Sequence, residues 1–169
     1  MTAPRLAVDP IAEARRHWEE HGWSDAAEGM AAVTSIMRAQ QLVMARVDEV
    51  LRPLELTFAR YELLMLLHFS RTGALPVTKA STRLQVHPTS VTNAVDRLEA
   101  AGLVERRRNP EDGRGILVAL TPAGRALALK ATERMNAEVF EQLGLPPKRT
   151  GTLLSVLTEL RRTSGDLGS

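Results

Sequence analysis

The chain has 169 residues, a formal net charge of +2 and no cysteine. This length suits one sizeable domain or a domain with helical extensions. The missing cysteines exclude disulfides, a thiol redox switch and zinc-finger sites. The small net charge excludes a tail-like polycation, so any basic character must be local. Apolar runs are too short for a membrane span and no cleavable signal is visible, so we expect a soluble cytoplasmic protein.

A short helix is predicted over residues 10–21. Asp9 followed by Pro10 is a typical N-cap and first-turn proline pair, and a glycine ends the segment. His17 and His21 stand at a spacing that can hold a metal, but no third ligand is in view. We therefore expect no metal here.

A long helix is predicted over residues 26–51, where Asp25 and Glu28 resemble a capping box. Its apolar stripe is wider than one small domain easily covers, which favours burial against a second chain. The stripe consists of Met30, Val33, Met37, Met44, Val47 and Leu51. A third helix, over residues 58–70, is apolar nearly all round. His68 lies in that run and is interpreted as a core or pocket-edge histidine, with ligand contact as the alternative.

The next segment has the pattern of a helix-turn-helix. We predict a helix over residues 77–84, a turn over 85–87, and a second helix from Pro88 to about residue 101, ended by Gly102. One face of the second helix is apolar and predicts a core contact. The other face carries short hydrogen-bonding side chains and one cation, which suits a major groove. This face consists of Thr89, Ser90, Thr92, Asn93 and Arg97.

A basic hairpin is predicted directly afterwards, with strands over 103–107 and 115–120. Four arginines crowd it: Arg106, Arg107, Arg108 and Arg114. Such crowding is favourable if phosphates supply the counter-charge, and an arginine at the tip suits a narrow minor groove. Asp112 is placed to hold a guanidinium in a bidentate pair. A solvated charged turn is the alternative.

Two more helices are predicted after the hairpin. Thr121 and Pro122 begin the first, which extends to about residue 143, and a Pro-Pro pair begins the second, which extends to about residue 162. The terminal helices are far apart in sequence, and an intermolecular bundle is the simplest way to bury their apolar stripes. Two-fold symmetry would then place two recognition helices about 34 Å apart, one DNA turn.

These residues resemble the MarR family of winged helix-turn-helix transcription regulators. The resemblance is carried by residues 87–104, by the hairpin tip 109–114 and by 118–124, and it extends loosely over residues 26–162. The Asp-x-Arg of the family's wing falls on Asp112 and Arg114. The resemblance implies a homodimer that binds a pseudo-palindromic double-stranded DNA operator, often as a repressor. It also implies that small aromatic or phenolic molecules weaken this binding.

The predicted fold is mainly α with a small β-hairpin wing, a winged helix-turn-helix joined to a helical dimerisation domain. We divide it into N-terminal dimerisation helices 1–56, a DNA-binding domain 57–120 and C-terminal dimerisation helices 121–169. In the predicted mechanism the recognition-helix residues contact bases and nearby phosphates. Arg114, held by Asp112, reaches the minor groove, and Arg106 and Arg107 contact the backbone. No catalytic constellation is apparent, so we expect neither an enzyme nor a cofactor.

An effector site is the least determined feature. Relatives with an extra N-terminal helix respond to urate through a tryptophan, an acidic residue and arginines. Trp18 and Glu62 match the first two, but Ala94 stands where one arginine is expected, which disfavours urate. The general expectation is an aromatic or hydrophobic anion between the dimer bundle and the winged unit, with His68 as a third candidate contact.

Two alternatives remain open on the sequence. One is a helical-dimer scaffold that binds proteins and not DNA, and the other is a constitutive regulator without a ligand. The salt dependence of binding distinguishes the scaffold from a DNA-binding protein. Only binding through arginine–phosphate contacts falls steeply as the salt concentration rises.

Overall fold

The computed structural model of the protein describes residues 7–109 and 115–167. Its chain divides into two compact units, residues 1–59 and residues 60–169. The boundary falls inside a helix, near the start of α3 (Phe58–Phe69). The three-part division made on the sequence stays a prediction.

The first unit is built from two helices, α1 (Pro10–Glu20) and α2 (Ser24–Leu51), followed by a 3₁₀ turn at Arg52–Leu54. The predicted N-cap of α1 is confirmed, because the backbone N–H of Ile11 donates to Asp9 Oδ1 at 3.0 Å. The predicted capping box of α2 is wrong. The helix begins before Asp25, and Trp23 occupies the N-cap position without a side-chain hydrogen bond. Gly22, with a φ of 84°, turns the chain between α1 and α2. The helix therefore begins directly after this turn, at Ser24, and not at the polar residues that follow.

Only the C-terminal end of the apolar stripe of α2 is buried. Val47 and Leu51 are buried, whereas Met37, about three to four turns earlier, is 60% exposed. Large apolar side chains are exposed along the middle of the helix: Val33, Ile36, Met37, Leu42 and Val43. The protomer therefore leaves a large part of this stripe in contact with solvent.

The second unit contains the remaining elements. These are α3, β1 (Ala74–Pro76), α4 (Val77–Leu84), α5 (Pro88–Ala100), β2 (Val104–Arg108), β3 (Ile116–Leu120), α6 (Pro122–Met135) with a π-helical turn at Asn136–Phe140, and α7 (Pro147–Thr163). The predicted bounds of α4 are confirmed, and those of α5 are confirmed to within one residue. The fold is mainly helical with a small antiparallel sheet, as predicted.

The sheet has a third strand that the sequence pattern did not indicate. Its order is β1–β3–β2, all antiparallel, and Ala74 pairs with Ala119. No strand is predicted here from the sequence, because three residues ending in proline carry no alternation to detect. The pairing exists only because β3 returns beside it.

The core of this unit joins α3, α5, the sheet and α6. Leu63, Leu64 and Leu67 of α3 are fully buried, as are Val95 of α5 and Met135 of α6. A polar contact crosses the same packing, where the hydroxyls of Tyr61 and Thr132 are 3.1 Å apart. This core holds the helix-turn-helix and the hairpin as one body.

The junction between the hairpin and α6 is unusually tight. Thr121 Oγ1 donates to the Gly102 carbonyl at 2.8 Å and accepts from the N–H of Gly124 at 3.0 Å. A Cβ at Gly124 would lie 1.9 Å from the carbonyl oxygen of Leu103. Only glycine permits this approach.

The C-terminal helices differ from prediction in one respect. α6 and its π turn end at Phe140, so Leu143, which the apolar row had included, lies outside the helix. None of the residues of α7, all of which are described, is buried, and Leu154 and Val156 are 61% and 57% exposed. Within the described part of the chain, no helix combines the length and apolarity that crossing a bilayer requires.

Candidate nucleic-acid interface

The recognition helix α5 is held by its own start and by its buried face. Pro88 occupies the first turn, and the imidazole Nδ1 of His87 accepts the N–H of Thr89 at 3.3 Å. Gln85 adopts the left-handed conformation, with φ of 53°, that turns the chain between α4 and α5. Val91 and Leu98 are buried, so the opposite face of α5 points outward.

The outward face carries all five predicted base-contacting residues, and all are exposed: Thr89, Ser90, Thr92, Asn93 and Arg97. Thr92 uses its hydroxyl to donate to the Pro88 carbonyl at 3.1 Å. Within the described residues, the side chains of Ser90, Asn93 and Arg97 make no hydrogen bond or ion pair. Their donors and acceptors are therefore available to a partner such as the edge of a base.

The hairpin is fastened to the recognition helix through Arg106. Its guanidinium pairs with the carboxylates of Asp96 and Glu99 on α5, and its backbone N–H donates to Glu99 Oε1 at 3.0 Å. The hydrogen bond to Asp96, followed by that to Glu99, raises the pKa of the Arg106 guanidinium above its ordinary value. Arg106 is thus half-buried between the two elements rather than extended into solvent.

The neighbouring arginines are more exposed. Arg107 pairs with Glu105 on its own strand, and its side chain is 62% exposed. Arg108 is exposed and has no ion pair within residues 7–109 and 115–167. The predicted wing-tip residues Asp112 and Arg114 lie outside the described residues. Their roles remain predictions.

The structure also brings together cations that the sequence interpretation did not single out. Lys79 and Arg83 on α4 and Arg71 in the turn before β1 line one concavity with Arg107 and Arg108. We call this the basic groove. The i, i+4 spacing of Lys79 and Arg83 was visible in the sequence, but its approach to β2 depends on the sheet.

The three effector candidates are divided between the two units. Trp18 belongs to the first unit and packs edge-to-face on Trp23, with ring centroids 5.4 Å apart. Glu62 and His68 belong to α3, six residues apart and so on different faces. Burial raises the pKa of the Glu62 carboxyl. His68 Nδ1 accepts a hydrogen bond of 2.8 Å from Arg125.

An exposed recognition helix joined to an arginine-bearing hairpin defines the winged helix-turn-helix class of DNA-binding proteins. The MarR family model matches residues 56–116. The chain is 31% identical over 121 residues to the HTH-type transcriptional regulator YhbI of Bacillus subtilis, covering 70% of this chain and 71% of that one.

Two solved structures extend the similarity. Sco5413, a MarR family transcriptional regulator from Streptomyces coelicolor, is 46% identical with a TM-score of 0.75, covering 84% of this chain and 99% of that chain. A point mutant of MarR from E. coli, complexed with operator DNA, is 26% identical with a TM-score of 0.72, covering 80% and 96%. The chain belongs to the MarR family of transcriptional regulators. The predictions of the family, and of a regulator rather than an enzyme, are confirmed.

Proposed function

We propose that this protein is a homodimeric repressor that binds a pseudo-palindromic operator and is released by a small aromatic or anionic molecule. The main support for this proposal is the outward face of α5. Its polar side chains are exposed, whereas the opposite face is buried in the core. An exposed helix with short polar side chains and a single cation fits a major groove without steric obstruction.

The proposed contacts divide into reading and positioning. Thr89, Ser90, Thr92, Asn93 and Arg97 contact bases and adjacent phosphates. Arg107 and Arg108 contact the phosphate backbone, because neither is held against α5. Arg106 was also predicted to contact the backbone, but its pairing with Asp96 and Glu99 favours instead a role in holding the wing at a fixed angle to the recognition helix. Arg114, supported by Asp112, is proposed to enter the minor groove.

Dimerisation is supported by the uncovered apolar faces at the two ends of the chain. The middle of α2 and most of α7 expose aliphatic side chains that a monomer leaves in water. Each helix exposes several large apolar side chains, and pairing of two copies would cover them. A two-fold dimer would present two recognition helices to successive major grooves.

The effector is proposed to be an aromatic or hydrophobic anion with Trp18, Glu62 and His68 among its contacts. Glu62 supports a functional role because its carboxylate is half-buried and has no ion pair or hydrogen bond within the described residues. Melting shifts across a panel of aromatic acids test this proposal, with substitution of each candidate residue as the second arm. If no aromatic acid shifts the melting temperature, a constitutive regulator without a ligand is favoured.

Selection of bound fragments from random DNA, followed by footprinting, tests the proposed function. We expect an inverted repeat whose half-sites are one helical turn apart. Affinity should fall steeply with salt, because several arginine–phosphate contacts displace counter-ions. A transcription assay on the selected operator then separates repressor from activator. Failure to bind any duplex at low salt would favour the protein-interaction scaffold.

A further inference from the structure

The basic groove is a concave site on the side of the wing, distinct from the outward face of α5. Its volume is about 750 Å³, within the range of small-molecule sites. The cations converge from three separate segments: the turn after α3, the helix α4 and the end of β2. No carboxylate lines the described part of the groove.

Most of these cations have no counter-charge among residues 7–109 and 115–167. Within the described ranges, Arg71, Lys79, Arg83 and Arg108 form no ion pair and no side-chain hydrogen bond. Arg107 is the exception, since it pairs with Glu105. Like charges gathered in a concavity repel one another, and the concavity partly excludes the water that would screen them. An anion in the groove would relieve that repulsion.

The groove also has an apolar surface. Arg107 pairs across the sheet with Leu117, which pairs in turn with Pro76, so these three residues stand in one row on the same face. Phe69 at the end of α3 also lines the groove, and it is 76% exposed. A phosphodiester backbone offers no partner to such a surface, whereas a flat ring does.

We propose that the basic groove binds a small organic polyanion, a planar ring bearing two or more carboxylate or phosphate groups, and that this binding weakens operator binding. The second half rests on the proposed function. It follows because Arg107 and Arg108 belong to both surfaces. Charges bound there lie within about 8 Å, one Debye length at physiological ionic strength, of the wing cations that the DNA phosphates need.

Isothermal calorimetry of the full chain with benzene-1,3,5-tricarboxylate, in the absence of DNA, tests the site directly. The test variant is K79Q/R83Q, and the matched control is K130Q, because Lys130 is an exposed lysine on α6 outside the groove, with no ion pair among the described residues. We expect saturable binding to the natural protein and to K130Q, and at least tenfold weaker binding to K79Q/R83Q. Benzoate, with one charge on the same ring, should bind at least tenfold more weakly. Melting curves establish that each variant is folded.

Operator binding in the presence of the tricarboxylate tests the coupling. The control replaces the tricarboxylate with acetate at equal ionic strength. We expect the tricarboxylate, but not acetate, to lower operator affinity. For the same loss of operator affinity, K79Q/R83Q should require at least tenfold more tricarboxylate than the natural protein. K130Q should require the same amount as the natural protein.

Three outcomes would overturn the proposal. The first is no saturable heat with the natural protein. The second is equal binding by K79Q/R83Q. The third is a loss of operator affinity in K79Q/R83Q without any tricarboxylate binding, which would assign the groove to the DNA backbone. Failure of the proposed function is a separate result, since it would appear as no operator binding by any variant while the calorimetric titration stays readable.

Discussion

Individual polar side chains on the recognition helix and the hairpin differ in whether they already have a partner. Asn93 has its amide on the outward face of α5, with no partner among the described residues, whereas Arg106, only two strand positions from the exposed Arg108, is occupied by carboxylates. Two arginines of one hairpin thus have different surroundings. Local sequence does not separate them, because the separation depends on what α5 places opposite each arginine.

We predict that Asn93→Ala lowers the preference for operator over random DNA by about 1–3 kcal/mol, the value of one good base contact. Affinity for random DNA should change much less, because phosphates supply that binding. Competition gel shifts with operator and random duplexes measure both. Equal losses on the two duplexes would contradict a base contact.

Glu62 gives a pH-dependent prediction. Because burial raises the pKa of its carboxyl, the folded protein holds this proton more tightly than the unfolded chain. The associated stability is present below the ordinary pKa of 4.5 and is lost as the pH rises through the folded-state pKa. Glu62→Gln should therefore raise the melting temperature at pH 7 and have little effect below pH 4.5. The control is Glu159→Gln, because Glu159 is exposed. An equal rise in the melting temperature of this variant at pH 7 would contradict burial as the cause.

At the scale of elements, the wing is a small sheet positioned by its neighbours. Arg106 joins β2 to the recognition helix, and the glycine at the start of α6 lets that helix approach the beginning of β2. Two contacts thus set where the hairpin points. Their loss should affect DNA binding by different routes from the loss of a phosphate contact.

Arg106→Met and Arg107→Met form a matched pair for this distinction. Arg107→Met should reduce the slope of log affinity against log salt by about 1, because one phosphate contact is lost. Arg106→Met should lower affinity without this change in slope, and should speed hydrogen exchange in β2 and β3. Salt titrations and exchange measurements on both variants check this. If Arg106→Met also reduces the slope of log affinity against log salt, Arg106 contacts the DNA backbone, as predicted from the sequence.

Gly124→Ala should destabilise the fold by about 1–3 kcal/mol, the usual cost of forcing an added methyl group into tight packing. The added Cβ would meet a backbone carbonyl, which cannot move as a flexible side chain does. Gly151→Ala is the matched control, because a Cβ there meets nothing within 4 Å and should stabilise α7. Denaturant unfolding gives both values, and similar stability of the two variants would disprove the close approach.

For the whole molecule, the decisive question is what covers the exposed apolar residues of α2 and α7. The proposed answer is a second copy of the chain. Met37 lies in the middle of the exposed stretch of α2, and Lys130 is an exposed residue of α6, outside α2 and α7. This pair allows a carboxylate to be added inside or outside the proposed interface.

Met37→Glu should convert the dimer to a single chain at micromolar concentration, because an unpaired carboxylate would be buried in the interface. Lys130→Glu should leave the mass unchanged. Sedimentation equilibrium measures both. If both variants and the natural protein have the mass of one chain, the dimer is disproved. The spacing argument for the operator then fails with it.

Local sequence determined the helix-turn-helix closely, because its signals are local ones. The proline at the start of α5, the glycine after it and the apolar i, i+4 row act within a few residues of each other. The hairpin arginines were likewise recognisable from their density. In each case neighbouring residues alone specify the backbone conformation.

Only the tertiary structure decided which strands pair and which cations meet. β1 has too few residues to show a pattern and exists through its hydrogen bonds to β3. The pairing of Arg106 with α5, and the gathering of Lys79, Arg83 and Arg107 around one groove, join residues from separate elements. Such contacts depend on how helices and strands pack, and periodicity reports the face of an element but not the residue opposite it.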